Sequence, residues 1–269
     1  MKPGSEISFD DAVNVRDLGG YISKDGRHVQ YGYFYRGVAL DFLKTQHDYD
    51  TLDSFHLKTI LDLRSQGEAD AHIEYIPDHV DYIRICGTYY DDGKEIDFSP
   101  QGMMILNQKI KELKEEKGDD LKETDVAGIF YKNMPYHNPA FIKMFECLEN
   151  KHVPLYFHCS AGKDRTGMAA ILILLCLDVS VDQVVEDYLL TNVYRHAEVE
   201  EALRKRADEI KENPALEAQI RKMMGVNETL IRQVIDGMFK RYGDLDTYFE
   251  KEFGLDQARR NRLKNMYLK

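Results

Sequence analysis

The segment His158-Cys159-Ser160-Ala161-Gly162-Lys163-Asp164-Arg165-Thr166-Gly167 follows a short apolar run, Leu155-Tyr156-Phe157, and opens into a long one, Met168 to Leu177. That order reads as a buried strand, a tight turn and a helix. A strand that feeds a helix through so short a turn belongs to an α/β architecture, with a central, mostly parallel sheet flanked by helices. The turn sets free backbone N–H groups at a helix N-terminus, where the helix dipole also favours negative charge. It is an anion site before any side chain is counted, and its shape suits phosphate.

Each residue of the turn has a chemical use. Cys159 at its base is expected to be a thiolate, because a cysteine near pKa 8.5 falls to roughly 3.5–7.5 at a helix N-terminus beside cations. A thiolate can attack phosphorus and hold the phosphoryl group covalently. Arg165 offers a planar fork that matches two oxygens of the transferring group, which lysine cannot do. Gly162 and Gly167 are expected to let the backbone curl and approach a ligand. Thr166 can give its hydroxyl to the sulfur, and His158 is expected to orient the loop. Ser160, Ala161, Gly162, Lys163 and Thr166 are the expected substrate-binding positions. An inert buried cysteine beside a helix cap would not explain Lys163, Asp164 and Arg165 crowded into one turn. A nucleotide-binding loop is excluded, because Phe157 stands where that motif needs glycine and Asp164 where it needs Ser or Thr. A sulfur-transfer loop would have less use for Arg165 and Thr166.

Cys-x5-Arg with its preceding histidine and following threonine and glycine resembles the signature of the cysteine-dependent protein tyrosine phosphatase superfamily. Gly162-Lys163-Asp164-Arg165 and Asn14-Val15-Arg16-Asp17-Leu18-Gly19-Gly20 look like its bacterial and fungal tyrosine/dual-specificity branch, some members of which also act on phosphoinositides. Tyr33-Phe34-Tyr35-Arg36-Gly37, Ile60 to Ser65, Tyr188 to Asn192 and the stretch from Tyr242 to Leu255 are similar to further landmarks. The resemblance implies a metal-independent phosphomonoester hydrolase that needs no cofactor. Its substrates would be phosphotyrosine proteins, with phosphoserine/threonine or phosphoinositides as further candidates. It also implies a proton donor for the leaving oxygen. Common tyrosine phosphatases carry that aspartate on a loop beginning with tryptophan, and this chain has no tryptophan. The matching position in the branch is Asp164, whose other reading is a tie to backbone or Arg16. Asp62 at a strand end is the second candidate and Asp125 the third. Two alternatives share the cradle: a phosphoinositide phosphatase, and a non-catalytic module that binds phosphoproteins. The latter would have no need of Cys159.

Composition narrows the rest. At 269 residues and 43% hydrophobic content the chain can bury one good core with a helical annex. It reads as a single domain over residues 1–269, with the core at about 10–192 and the annex at about 193–269. A net charge of −11 argues against nucleic acid and against broad attachment to anionic membranes. No apolar stretch is long enough to span a bilayer, and Met1 to Asp10 carries no apolar signal segment. The four cysteines and nine histidines show no metal-ligand spacing. A reducing, cytoplasmic setting is expected because the nucleophile must stay a thiol, with export lacking a signal peptide left open. Lys163 would assist a second phosphate or lower the thiol pKa, while Asn14, Arg16 and Asp17 suit a brace. The run Leu203 to Arg206 sits among acids and reads as a solvated helix face.

Strands are expected at Val29–Tyr35, Thr59–Leu63, Val80–Ile85 and Pro154–His158, and helices at Gln101–Lys117 and Val126–Leu148. Ser180 and Gln183 make a capping box for Val181–Asn192. Asn213-Pro214 breaks the next helix, and Gly225, Asn227, Gly243 and Gly254 punctuate the remainder. The helix near Gln101 and the region after Tyr194 are both candidates for a lid over the site.

Overall fold

A computed structural model of the protein describes residues 2–120 and 123–269, so Met1 of the N-terminal segment lies outside them. Its centre is the strand before the signature. The five strands are β1 (Arg16–Asp17), β2 (Phe34–Gly37), β3 (Thr59–Asp62), β4 (Asp81–Arg84) and β5 (Leu155–His158), and they lie in the order β1-β2-β5-β3-β4. All neighbours are parallel except β1, which runs antiparallel to β2 at one edge. Every residue of β5 is buried, as the continuous apolar run requires of a strand covered on both faces. The register aligns Gly37, His158 and Asp62 across three strands. Their carboxyl ends therefore form one rim, where open α/β sheets place their ligand sites.

The expected strand from Val29 starts only at Phe34. Gly32, at φ 85°, turns the chain there, and Val29 instead bridges to Leu268. The two residues of β1 were too few to carry an alternation.

Thirteen helices of more than three residues occur among the described residues. Before β5 in the chain lie α1 (Gln46–Asp53), α2 (Gln66–Ala71), α3 (Pro100–Lys117), α4 (Glu123–Tyr131) and α5 (Pro139–Glu149). Then come α6 (Asp164–Cys176), α7 (Val181–Tyr194), α8 (His196–Lys205), α9 (Ala207–Glu212), α10 (Ala215–Met224), α11 (Glu228–Tyr242), α12 (Leu245–Phe253) and α13 (Gln257–Tyr267). The helix expected over Val126–Leu148 is two. Asn138 caps α5 by accepting from Ala140 N at 3.1 Å, and Pro139 starts it. The Ser180–Gln183 box is half made, since Gln183 donates its amide to the Ile22 carbonyl at 3.1 Å rather than capping alone.

The helix after the signature, α6, is buried along its length from Arg165 to Cys176, as a helix apolar on all sides must be. It packs with β5, α7 and α12 in the main core, which also takes Ile231, Ile235, Tyr248 and Leu263 from the last three helices. A second cluster around Val15, Tyr35, Phe55 and Ile60 fills the other face of the sheet. Val199, Leu203 and Ile220 of α8 and α10 make a small cluster apart, with Ile210 of α9 packed against it. Among the described residues no helix is long and apolar enough to cross a membrane.

Candidate active site

The signature turn leaves the end of β5 and enters α6 at Asp164. Gly162 takes φ 62°, and a Cβ there would sit 2.6 Å from the Gly37 carbonyl oxygen, so the turn needs glycine on both counts. Lys163 occupies the N-cap of α6 and offers no side-chain acceptor to the first-turn N–H groups, of which that of Thr166 faces Cys159. Gly167 has a different use from the one expected. It faces the Tyr188 ring, which a Cβ would meet at 2.7 Å, rather than the cradle.

Cys159 lies at the base, 2% exposed. Burial alone would raise its pKa. The Arg165 guanidinium, the Thr166 hydroxyl and the N–H groups of Thr166 and Lys163 outweigh that and hold the thiol below its ordinary value. Thr166 Oγ1 is buried without a hydrogen bond of good geometry, so its part is a polar group close to sulfur rather than a formed bond.

Arg165 is pinned by a residue that the sequence did not single out. Glu68 of α2 accepts from both terminal nitrogens, at 2.6 and 2.8 Å, and the Leu63 carbonyl accepts at 3.2 Å. Glu68 also accepts from Ser160 Oγ at 2.5 Å and from Ser65 N at 3.0 Å. Burial pushes against the Glu68 anion, but Arg165 and these donors keep its pKa below the usual carboxylate range. The Phe98 ring lies 4.9 Å from the guanidinium carbon. Ser65 followed three residues later by Glu68 is a capping-box pattern, and it is formed at the start of α2. That pattern was the available signal for Glu68.

The turn is braced from behind. Asn14 Nδ2 and Arg36 donate to the Gly162 carbonyl at 2.9 and 3.1 Å. Arg16 and Arg36 both pair with Asp187, at 2.9 and 2.6 Å, and Tyr21 Oη donates to it at 3.0 Å. Burial opposes the Asp187 anion, yet the two guanidiniums bring its pKa down to about 2. Asp17 does not join them; it accepts from Gly19 and Gly32 N–H and fixes its own loop.

Beside β5 lies a buried charge cluster. Arg64 bridges Asp62 at 2.8 Å and Glu74 at 2.6 Å, and Tyr82 Oη donates to Asp62 at 2.7 Å. His158 stands 3.4 Å from Glu74 and 3.8 Å from Asp62. Burial favours a neutral ring, but the two carboxylates raise the His158 pKa. Asp62 is held well below the usual range against its burial, by His158, Arg64 and Tyr82. Its oxygens are taken up by Arg64 and Tyr82 inside this buried cluster, whereas Asp164 lies on the signature turn itself. Asp62, Glu74 and His158 bring metal-ligating atoms within 4.8 Å of one another. Arg64 already supplies the cation between both carboxylates, so a metal there would have to displace it.

Asp164 is half-exposed at the rim of the turn. Arg16 does not tie it, being engaged by Asp187 and Asn14. Its carboxylate instead accepts from Tyr131 Oη, with Lys163 Nζ 3.4 Å from the other oxygen. Lys163 is not turned to solvent; its Nζ donates to the Met223 carbonyl at the end of α10, at 2.6 Å. Ala161 is half-exposed on the turn. Asp125 is held by Lys117 at 2.8 Å. Arg204, Lys205 and Arg206 pair with Glu201 and Glu209 on exposed faces, as their acidic surroundings imply.

Residues 7–269 match the model of the tyrosine phosphatase family. A protein of Cupriavidus necator named provisionally as a tyrosine-protein phosphatase is 26% identical over 263 residues, covering 98% of this chain and 88% of its own. The triple specificity protein phosphatase PtpB of Mycobacterium tuberculosis is 32% identical over 125 residues, which is 43% of this chain and 44% of that protein.

Proposed function

The chain belongs to the tyrosine phosphatase family, and from that premise we propose that it hydrolyses phosphomonoesters, phosphotyrosine in proteins first, through a cysteinyl-phosphate and without a metal. The observation that carries this reading is the guanidinium of Arg165, locked by Glu68 beside a thiol whose pKa is lowered.

In the first step Cys159 Sγ attacks phosphorus while the bond to the ester oxygen breaks. The electron pair leaves on that oxygen, and Asp164 protonates it. Arg165 and the N–H groups at the start of α6 hold the three equatorial oxygens, where charge is shared in the transition state. In the second step water attacks phosphorus, Asp164 takes its proton, and the P–S bond breaks to return the thiolate. The Thr166 hydroxyl eases that departure by stabilising the sulfur anion.

Phosphoinositides are the second reading, favoured by Lys163 at the rim. Its ammonium is already bonded to the Met223 carbonyl, so contact with a second phosphate requires that bond to be exchanged. The test is a panel of phosphotyrosine peptides, phosphoserine peptides and phosphoinositide vesicles, each with and without EDTA. We expect phosphotyrosine to give the highest kcat/KM and EDTA to change nothing. Activity that EDTA removes and added metal restores would overturn the mechanism. Phosphoinositide turnover above that of every peptide would transfer the assignment to the second reading.

A further inference from the structure

We propose that Tyr131, backed by Tyr188, is a positioning residue for the proton donor: it fixes which oxygen of Asp164 carries the transferable proton. The proposal rests on Asp164 as the acid. Tyr131 is the last residue of α4 and is buried. Its phenol bonds Asp164 Oδ1 on one side and the Tyr188 phenol on the other, the latter at 2.7 Å. Burial, then the negative charge of Asp164, raises the Tyr131 pKa well above its ordinary value, so it stays a donor. A phenol has one hydrogen. If Tyr131 gives it to Asp164, Tyr188 must give its own to Tyr131, and the two hydroxyls form a directed relay that ends on Oδ1.

An oxygen that accepts from a phenol is the less favourable seat for the proton, because a carboxyl O–H oxygen accepts more weakly than the carbonyl oxygen. The proton of the acid form therefore resides on Oδ2, the oxygen facing Lys163 Nζ. From there it passes to the ester oxygen as the P–O bond breaks. The relay is itself held. Thr88 Oγ1 donates to the Phe130 carbonyl at 2.9 Å and anchors the end of α4. The Tyr188 ring lies against Gly167, where a Cβ would approach within 2.7 Å. That contact gives the last glycine of the signature a reason: it admits the tyrosine that supports the acid.

The experiment measures kcat/KM for phenyl phosphate and for 2,4-dinitrophenyl phosphate in Tyr131→Phe, Tyr188→Phe, Asp164→Asn and the double variant Tyr131→Phe/Asp164→Asn. Dinitrophenolate leaves without protonation, so its turnover reports an assembled loop, whereas phenolate needs the acid. A positioned acid is worth roughly 10²–10⁴-fold, so its misplacement should cost phenyl phosphate about 10- to 100-fold in Tyr131→Phe and far less with the activated ester. Tyr188→Phe should move the same ratio by less. Tyr131→Phe should add nothing to Asp164→Asn. Equal losses on both esters in Tyr131→Phe, or a full extra loss in the double variant, would overturn the proposal and leave Asp164 as the acid. An unchanged ratio in Asp164→Asn would overturn the acid assignment itself and this proposal with it.

Discussion

Four cysteines are buried in this protein, and burial alone should make each of them inert. It pushes Cys86 up to about 11 and Cys176 up to about 12. Cys159 goes the other way because Arg165 and two backbone N–H groups face it. The contrast yields a prediction at the scale of one residue. Iodoacetamide labelling followed by peptide mass analysis should modify Cys159 alone in the folded protein, with half-maximal rate at a pH below the ordinary cysteine value of about 8.5. Arg165→Met should move that midpoint upward. A midpoint at or above 8.5 in the unaltered protein would contradict the assigned electrostatics. Cys159, Arg165 and Asp164 were legible in the sequence because they share one turn. Asp187 and Tyr131 were not, since each reaches the turn from another element and no local spacing records that approach; Glu68 showed only as the capping-box partner of Ser65, which marks a helix start and not its contact with Arg165.

At the scale of elements, the strand–turn–helix unit followed from hydrophobic pattern alone, and β5 and α6 occupy the expected places. The pattern failed where backbone geometry intervened, at Gly32 before β2 and at Pro139 between α4 and α5. What joins β1, β2 and α7 behind the turn is Asp187, between Arg16 and Arg36. Replacing it by Asn leaves two buried guanidiniums without their counter-charge, and removal of one partner from such a set costs about 3–5 kcal/mol. Asp187→Asn should show that loss in urea unfolding at neutral pH. The sign with pH follows from a folded pKa near 2 against about 3.9 unfolded. The stabilisation is complete above about 4 and disappears as pH falls through 2. The variant should therefore have a flatter acid limb of stability than the parent. A loss below about 1 kcal/mol would mean that water reaches the pair and the brace is weak.

Across the whole molecule, a net charge of −11 repels an anionic substrate at long range, and the cradle must draw it at short range. The rim of the parallel strands, the open N-terminus of α6 and Arg165 converge to supply that local field. The annex expected after residue 193 is divided: α11 to α13 complete the main core, while α8 and α10 keep a small core of their own and α10 reaches Lys163. Sequence periodicity found these helices but not their partners, because an apolar face does not say what it packs against. The central claim remains chemical, and one measurement tests it most directly: the steady-state hydrolysis of a phosphotyrosine peptide by Cys159→Ser. A serine hydroxyl is a far weaker nucleophile at neutral pH. The account predicts that turnover falls below detection while vanadate still binds the turn. Turnover within tenfold of the unaltered protein would contradict it.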